Sequence, residues 1–158
     1  MSTQLSQIGI YHTIIGILAA IAAIILLFQE GVINHRNILG KTYVGLTVIS
    51  CLTSFCIMKT GHYTAAHAIS ILVLLLLALG VYARYIFGRN CERAEIICMS
   101  LTLFLSFISA VNHVLTTLPL SQPVAGNDNA PIVIISYGIL TIFFVIVMVF
   151  QLRRLRAN

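Results

Sequence analysis

Charged side chains are scarce in this sequence, and their scarcity argues against a water-soluble domain. Only 8% of the 158 residues are Asp, Glu, Lys or Arg, whereas 59% are hydrophobic. A soluble domain carries about 25% charged residues. Because so little polar surface is available to cover a globule, we expect lipid to be the solvent of most of this chain.

Acidic residues are especially rare, with Asp and Glu at four positions in all. None of the four falls in the middle of an apolar stretch, whereas ion-driven carriers usually keep a carboxylate inside the membrane. A carrier for a small molecule is therefore the least supported class of function. Glu92 and Glu95 are expected to pair with nearby arginines, because acids at a helix start also suit the helix dipole. These arginines are Arg89 and Arg93.

Five long apolar stretches are present, and the short segments between them carry most of the charge. A hydrocarbon core about 30 Å thick needs about 20 apolar residues in a helix. Backbone groups in lipid must bond within the span, so each stretch is predicted to be α-helical. The expected fold is an all-α bundle of five transmembrane helices in one domain, residues 1–158. The predicted helices are 8–28, 38–58, 65–87, 94–118 and 132–151.

The basic residues predict the orientation of this bundle. One side has only Lys59, and the other eight of the nine Lys and Arg share the opposite side. Because basic loops stay in the cytoplasm, the N-terminus is predicted outside and the C-terminus inside. No Lys or Arg precedes the first apolar run, which we therefore expect to be a retained helix and not a signal peptide. The basic rim would attract anionic lipid heads, so the net positive charge does not require a nucleic acid.

Four of the five histidines fall on the predicted outer side. His12, His67 and His113 lie in three different helices at similar depth, and His62 lies in the loop before the third helix. The residues three, four, seven or eight positions from His12 and from His113 lie on the same helix face as each histidine, and they include small or polar residues. Such residues are typical of faces that pack on other helices. Neutral imidazole is a common ligand of haem iron and transition metals. His12, His67 and His113 are thus candidate ligands of a b-type haem or a metal ion, with His62 as a neighbouring hydrogen-bonding group.

Two functions of different classes follow from these histidines. The first is a small inner-membrane protein that transfers electrons through the bound haem or metal. The second is a non-catalytic subunit or assembly factor in which the histidines only hydrogen-bond helices together; a proton or substrate path is a further alternative. Small-residue pairs such as Gly16 with Ala20 would serve contacts within one chain or in a homo-oligomer.

The four cysteines are predicted to be free thiols. No C-x-x-C motif occurs, and the four positions are spread over different depths and sides of the predicted bundle. Disulfides need an oxidising compartment and paired positions, which this spacing does not offer. Thiol–disulfide exchange is therefore not expected.

The sequence contains a His-x-x-x-Gly first helix, at His12 and Gly16, and a His-Arg…Gly-x-x-Tyr turn that starts at His35. These short motifs resemble a bacterial inner-membrane family known only as a domain of unknown function, and the resemblance covers roughly residues 9–118. It implies a multi-pass protein of the bacterial inner membrane and supplies no activity. A second His-Arg pair typical of the family is replaced here by Glu92–Arg93, which favours the outer histidines over His35 as a site. The matching residues are His12, Gly16, His35, Arg36, Gly40, Tyr43, Gly61, Tyr63 and His67.

Overall fold

The computed structural model describes residues 7–56, 65–117, 124–127 and 129–157, and these ranges are almost entirely helical. Four of their helical stretches are long and apolar enough to cross a membrane: Ile8–Glu30, Ile38–Phe55, Ala83–Thr116 and Pro131–Leu155. A shorter apolar helix covers Ala66–Val81. The prediction of an all-α fold with several helices able to cross a membrane is confirmed for the described residues, whereas the count of five spans and the orientation stay predictions. The helices are α1 (Gln7–Glu30), α2 (Ile38–Phe55), α3 (Ala65–Val81), α4 (Ala83–Phe87), α5 (Cys91–Thr117) and α6 (Pro131–Ala157).

The third predicted helix is divided in the structure. Tyr82 leaves helical geometry at φ −92° and ψ 13°, so α3 ends at Val81 and the five-residue α4 follows. The carbonyl of Tyr82 accepts hydrogen bonds from the amides of Tyr85 and Ile86, which starts the new turn. A short 3₁₀ turn, Gly88–Asn90, then leads into α5. Hydropathy does not reveal this break, because both sides of it are apolar.

Other helix ends differ from the predicted ones by a few residues. α2 stops at Phe55, and the last two residues of the predicted helix, 57 and 58, lie outside the described ranges. α5 begins at Cys91, three residues before the predicted start. α6 continues to Ala157, beyond the predicted end at residue 151, because arginine side chains near a membrane surface allow a helix to extend past the apolar core.

Four helices form a ring. α1 packs on α2, α2 on α3 and α3 on α5, and α5 closes the ring against α1; among the described helices, α6 packs on α5 alone. We call one end of this ring the basic end; it holds the connection from α1 to α2, the Gly88–Asn90 turn and the end of α6. The opposite end, with the starts of α1 and α3 and the ends of α2 and α5, is called the histidine end.

The buried core lies toward the basic end. In α1 the buried residues are Ala19, Ala22, Ala23 and Leu26, and none of the residues from 8 to 18 is buried. The buried residues of α5 fall between Glu95 and Leu103, and those from 104 to 116 are half-buried or exposed. Small alanine side chains let α1 approach its neighbours closely, which is a common basis of helix contact in membranes.

Candidate functional site

His12 lies at the histidine end and joins α1 to α2. Its Nδ1 lies 2.9 Å from the carbonyl oxygen of Ser50 and 3.0 Å from Oγ1 of Thr53. A carbonyl can only accept, so Nδ1 carries the proton and donates. Gly16, one turn along α1, lies against the Ser50 hydroxyl and lets the two helices approach. This contact fixes the ring of His12 and leaves Nε2 as the nitrogen that could meet a ligand.

His67 is buried at the same end, with 3% of its surface exposed. Its ring packs against Phe55 at the end of α2, with 5.9 Å between the ring centroids. One turn further along α3, the hydroxyl of Ser70 lies 2.7 Å from that of Ser54 on α2. α2 is therefore held on one side by His12 of α1 and on the other by His67 and Ser70 of α3.

The structure brings the helices of the three predicted ligands to one end of the ring. His113 is half-buried on α5, and His62 lies outside the described residues. Within the described ranges, no three His, Cys, Asp or Glu side chains are grouped so that they could hold a metal ion. The prediction of a haem or metal at His12, His67 and His113 gains no support from this arrangement and stays a prediction.

A second cluster, at the basic end, was not expected. Glu95 of α5 is 8% exposed and accepts two charge-assisted contacts from the α1–α2 connection. Nδ1 of His35 lies 2.7 Å from one carboxylate oxygen, and the Arg36 guanidinium lies 3.0 Å from the other. These are the two ion pairs found among the described residues, so the expected pairing of Glu92 and Glu95 with neighbouring arginines is wrong for Glu95. The two contacts tie the connection to α5.

The α1–α2 connection is shaped so that His35 and Arg36 reach α5. Asn37 caps α2, because its Oδ1 accepts a hydrogen bond of 2.6 Å from the amide of Gly40, and its side-chain amide donates to Glu30. At Gly40 the helix lies directly on the backbone of Asn34, and a Cβ there would overlap the Asn34 carbonyl. Only glycine fits this close approach.

Polar side chains also cross the ring deeper in the bundle. The Tyr43 hydroxyl of α2 lies 2.6 Å from Oγ1 of Thr102 on α5, and both residues are fully buried. Thr102 donates to the carbonyl of Met99, so Tyr43 is the donor to Thr102. On the other face of α5, the Ser100 hydroxyl donates to Oε1 of Gln151 on α6 at 2.7 Å. Each buried hydroxyl in these pairs therefore serves a contact between helices.

The four cysteines are free in the structure, two of them buried and two not. Cys51 and Cys98 are buried in α2 and α5, Cys91 is half-buried, and Cys56 is exposed. Cys51 continues the buried face of α2 that includes Gly40, Tyr43 and Thr47. Its thiol acts there as a small apolar group.

No model of a protein family, no curated protein and no solved structure matches this chain. The resemblance to an inner-membrane family therefore depends on its short motifs alone. In the structure these motifs divide between the two ends of the ring, apart from Gly61 and Tyr63, which lie outside the described residues. The turn motif forms the basic-end cluster with Glu95, a partner that the motif itself does not include.

Proposed function

We propose that this chain is a five-span protein of the bacterial inner membrane, with its N-terminus outside and its C-terminus in the cytoplasm. The charge distribution supports this orientation: eight of the nine basic residues belong to the basic end, which would face the cytoplasm. The bilayer and its anionic lipids would then be the first partners of the protein. A reporter active only in the cytoplasm should work after Asn158 and fail near Gly126. The reverse pattern would overturn the orientation.

We further propose that the protein acts without chemistry of its own, as a subunit or assembly factor of a membrane complex. The observation that carries this proposal is the use of polar side chains as links between helices. His12 donates to the α2 backbone, His35 and Arg36 contact Glu95, and Tyr43 reaches Thr102. In a membrane such contacts hold helices together where the hydrophobic effect between helices is absent.

Two substitutions of His12 test whether this histidine serves the helix contact. Asn in place of His keeps a side-chain donor near the position of Nδ1, whereas Ala removes the donor. If the contact with Ser50 is the role of His12, His12→Ala should lower the unfolding free energy by about 0.6 kcal/mol. His12→Asn should restore most of that loss. Equal loss in both variants would argue against the helix-contact role.

One observation favours the second candidate, a b-type haem or metal at the histidine end used for electron transfer. Ligating histidines usually donate the other ring nitrogen to a carbonyl or carboxylate, and His12 does so to Ser50. Protein purified from its native membrane should then show a Soret band or a stoichiometric metal. Substituting His12, His67 or His113 with Ala should remove it, and His12→Asn should remove it too. His35→Ala is the matched control and should retain it; colourless, metal-free protein would end this candidate.

A further inference from the structure

α6 carries a groove on the face that points away from α5. The groove has a volume of about 340 Å³ and is lined by four apolar side chains and one arginine. The four apolar side chains are exposed, and their exposed fraction ranges from 44% at Val149 to 63% at Phe150. The lining residues are Val145, Ile146, Val149, Phe150 and Arg153.

Charge is distributed unevenly along this groove. Arg153 stands at the end nearest the C-terminus, and the sequence of α6 from Pro131 to Ala157 contains no Asp or Glu. Both ion pairs among the described residues are on Glu95, so no carboxylate of those ranges pairs with Arg153. The guanidinium of the next residue, Arg154, lies over Gly31 in the α1–α2 connection. Arg153 is therefore the guanidinium that this groove presents to the membrane surface.

We infer that the groove binds one anionic phospholipid, with an acyl chain along Val145–Phe150 and the phosphate on Arg153. The inference rests on the proposed membrane placement, in which Arg153 lies at the cytoplasmic head-group level. Apolar side chains below an arginine match the two parts of such a lipid. Arginine binds phosphate through paired N–H donors. Its positive charge favours a lipid of net negative charge over phosphatidylcholine, whose phosphate is balanced by its own choline.

A second copy of the chain fits the groove less well. Copies in one membrane share their orientation, so a two-fold interface through this groove would place the same patch of each copy face to face. Arg153 would then approach Arg153, and the two like charges would repel each other. A lipid phosphate neutralises this charge, whereas a second copy doubles it.

Native mass spectrometry of the purified protein tests this site. The protein would be released from nanodiscs of phosphatidylcholine mixed with phosphatidylglycerol, and the phosphatidylglycerol retained on it would be measured. Arg153→Gln should lower retention about fivefold, as expected for the loss of one basic contact at a membrane surface. Arg89→Gln, an equal charge change at an exposed residue of the same end, is the control and should leave retention unchanged.

Three results would overturn the inference. Equal losses in both arginine variants would assign the lipid to the basic rim as a whole. Equal retention of both lipids by the unsubstituted protein would show that the groove does not recognise the anionic head group. Disulfide-linked dimers that form in pure phosphatidylcholine with a Val149→Cys variant, but not with the unsubstituted protein and its native cysteines, would assign the groove to a second copy. The nanodiscs carry phosphatidylglycerol in both leaflets, so Arg153 meets this lipid in either orientation of the protein. If the reporter assay contradicts the proposed orientation, the lipid test is therefore still valid.

Discussion

At the basic end the helices are held by fully buried side chains and a charged cluster. At the histidine end the residues of α1 and α5 are half-buried or exposed, and α2 is held by neutral hydrogen bonds and by the buried ring of His67. Leu26, Tyr43 and Met99 are completely or almost completely buried on the basic side of the ring. His12 and His113, near the other end, are only half-buried. The same four helices therefore pack closely at one end and more loosely at the other.

This difference has consequences for local stability. Regions with few buried contacts open at lower free energy than a tightly packed core. The histidine end is therefore expected to open before the basic end. At the basic end, the contacts of the Glu95 carboxylate with His35 and Arg36 keep the α1–α2 connection on α5. A partner or ligand that needs access between helices would find it at the histidine end.

The largest effect is expected where the α2 backbone rests on the connection. Gly40→Ala would push a Cβ into the carbonyl of Asn34, and we expect a loss of about 3 kcal/mol in unfolding free energy. Gly45→Ala, in the same helix, is the control, because a Cβ there meets no atom within 4 Å. Denaturation in mixed micelles followed by circular dichroism would measure both. Equal stability of the two variants would show that the connection does not rest on α2 as described.

The fold was largely predictable, because the length and apolarity of a membrane helix follow from the thickness of the lipid core. The basic-end cluster was not, because its partners lie about 60 positions apart in the chain. Sequence neighbours suggested arginine partners for Glu95 two and six residues away, and tertiary packing brought His35 and Arg36 instead. The sequence did contain a signal for this cluster. Glu95 is one of four acidic residues, and it lies near the start of a predicted helix on the same side of the membrane as the predicted His-Arg turn.

The next effect should come from the charged cluster. Glu95→Ala would leave His35 and Arg36 without their carboxylate, and we expect a loss of about 2 kcal/mol because the pair is only partly shielded from water. Glu92→Ala is the matched control, since Glu92 is exposed one turn earlier on the same helix. Unfolding free energies of both variants in the same micelles would be compared. A loss of similar size in Glu92→Ala would mean that helix-end charge, and not the cluster, stabilises this end.

A smaller effect is expected from the hydroxyl pair that crosses the ring. Tyr43→Phe removes the donor to Thr102 and keeps the packed ring, so we expect a loss of about 1 kcal/mol. Tyr85→Phe, at a residue 88% exposed, should change the unfolding free energy very little. A double-mutant cycle with Thr102→Val would isolate the pair. A coupling near zero would contradict the proposed link between α2 and α5.

The smallest effect should come from the equivalent hydroxyl pair at the histidine end. The hydroxyl oxygens of Ser54 and Ser70 lie 2.7 Å apart, and each also lies within hydrogen-bond distance of a carbonyl of its own helix, Cys51 for Ser54 and Ala66 for Ser70. Because each hydroxyl has one hydrogen, one serine donates to its carbonyl and the other donates to that serine. Ser70→Ala removes one hydroxyl while Ser54 keeps its carbonyl partner, so the expected loss is about 0.5 kcal/mol or less. The matched comparison is Tyr43→Phe, which removes one hydroxyl from a fully buried pair at the other end of the ring. Both losses would be measured by the same denaturation in mixed micelles. If Ser70→Ala lowered the unfolding free energy more than Tyr43→Phe, the expected order of the two ends would be reversed. The loosely packed histidine end would then depend more on its polar contacts than the closely packed basic end.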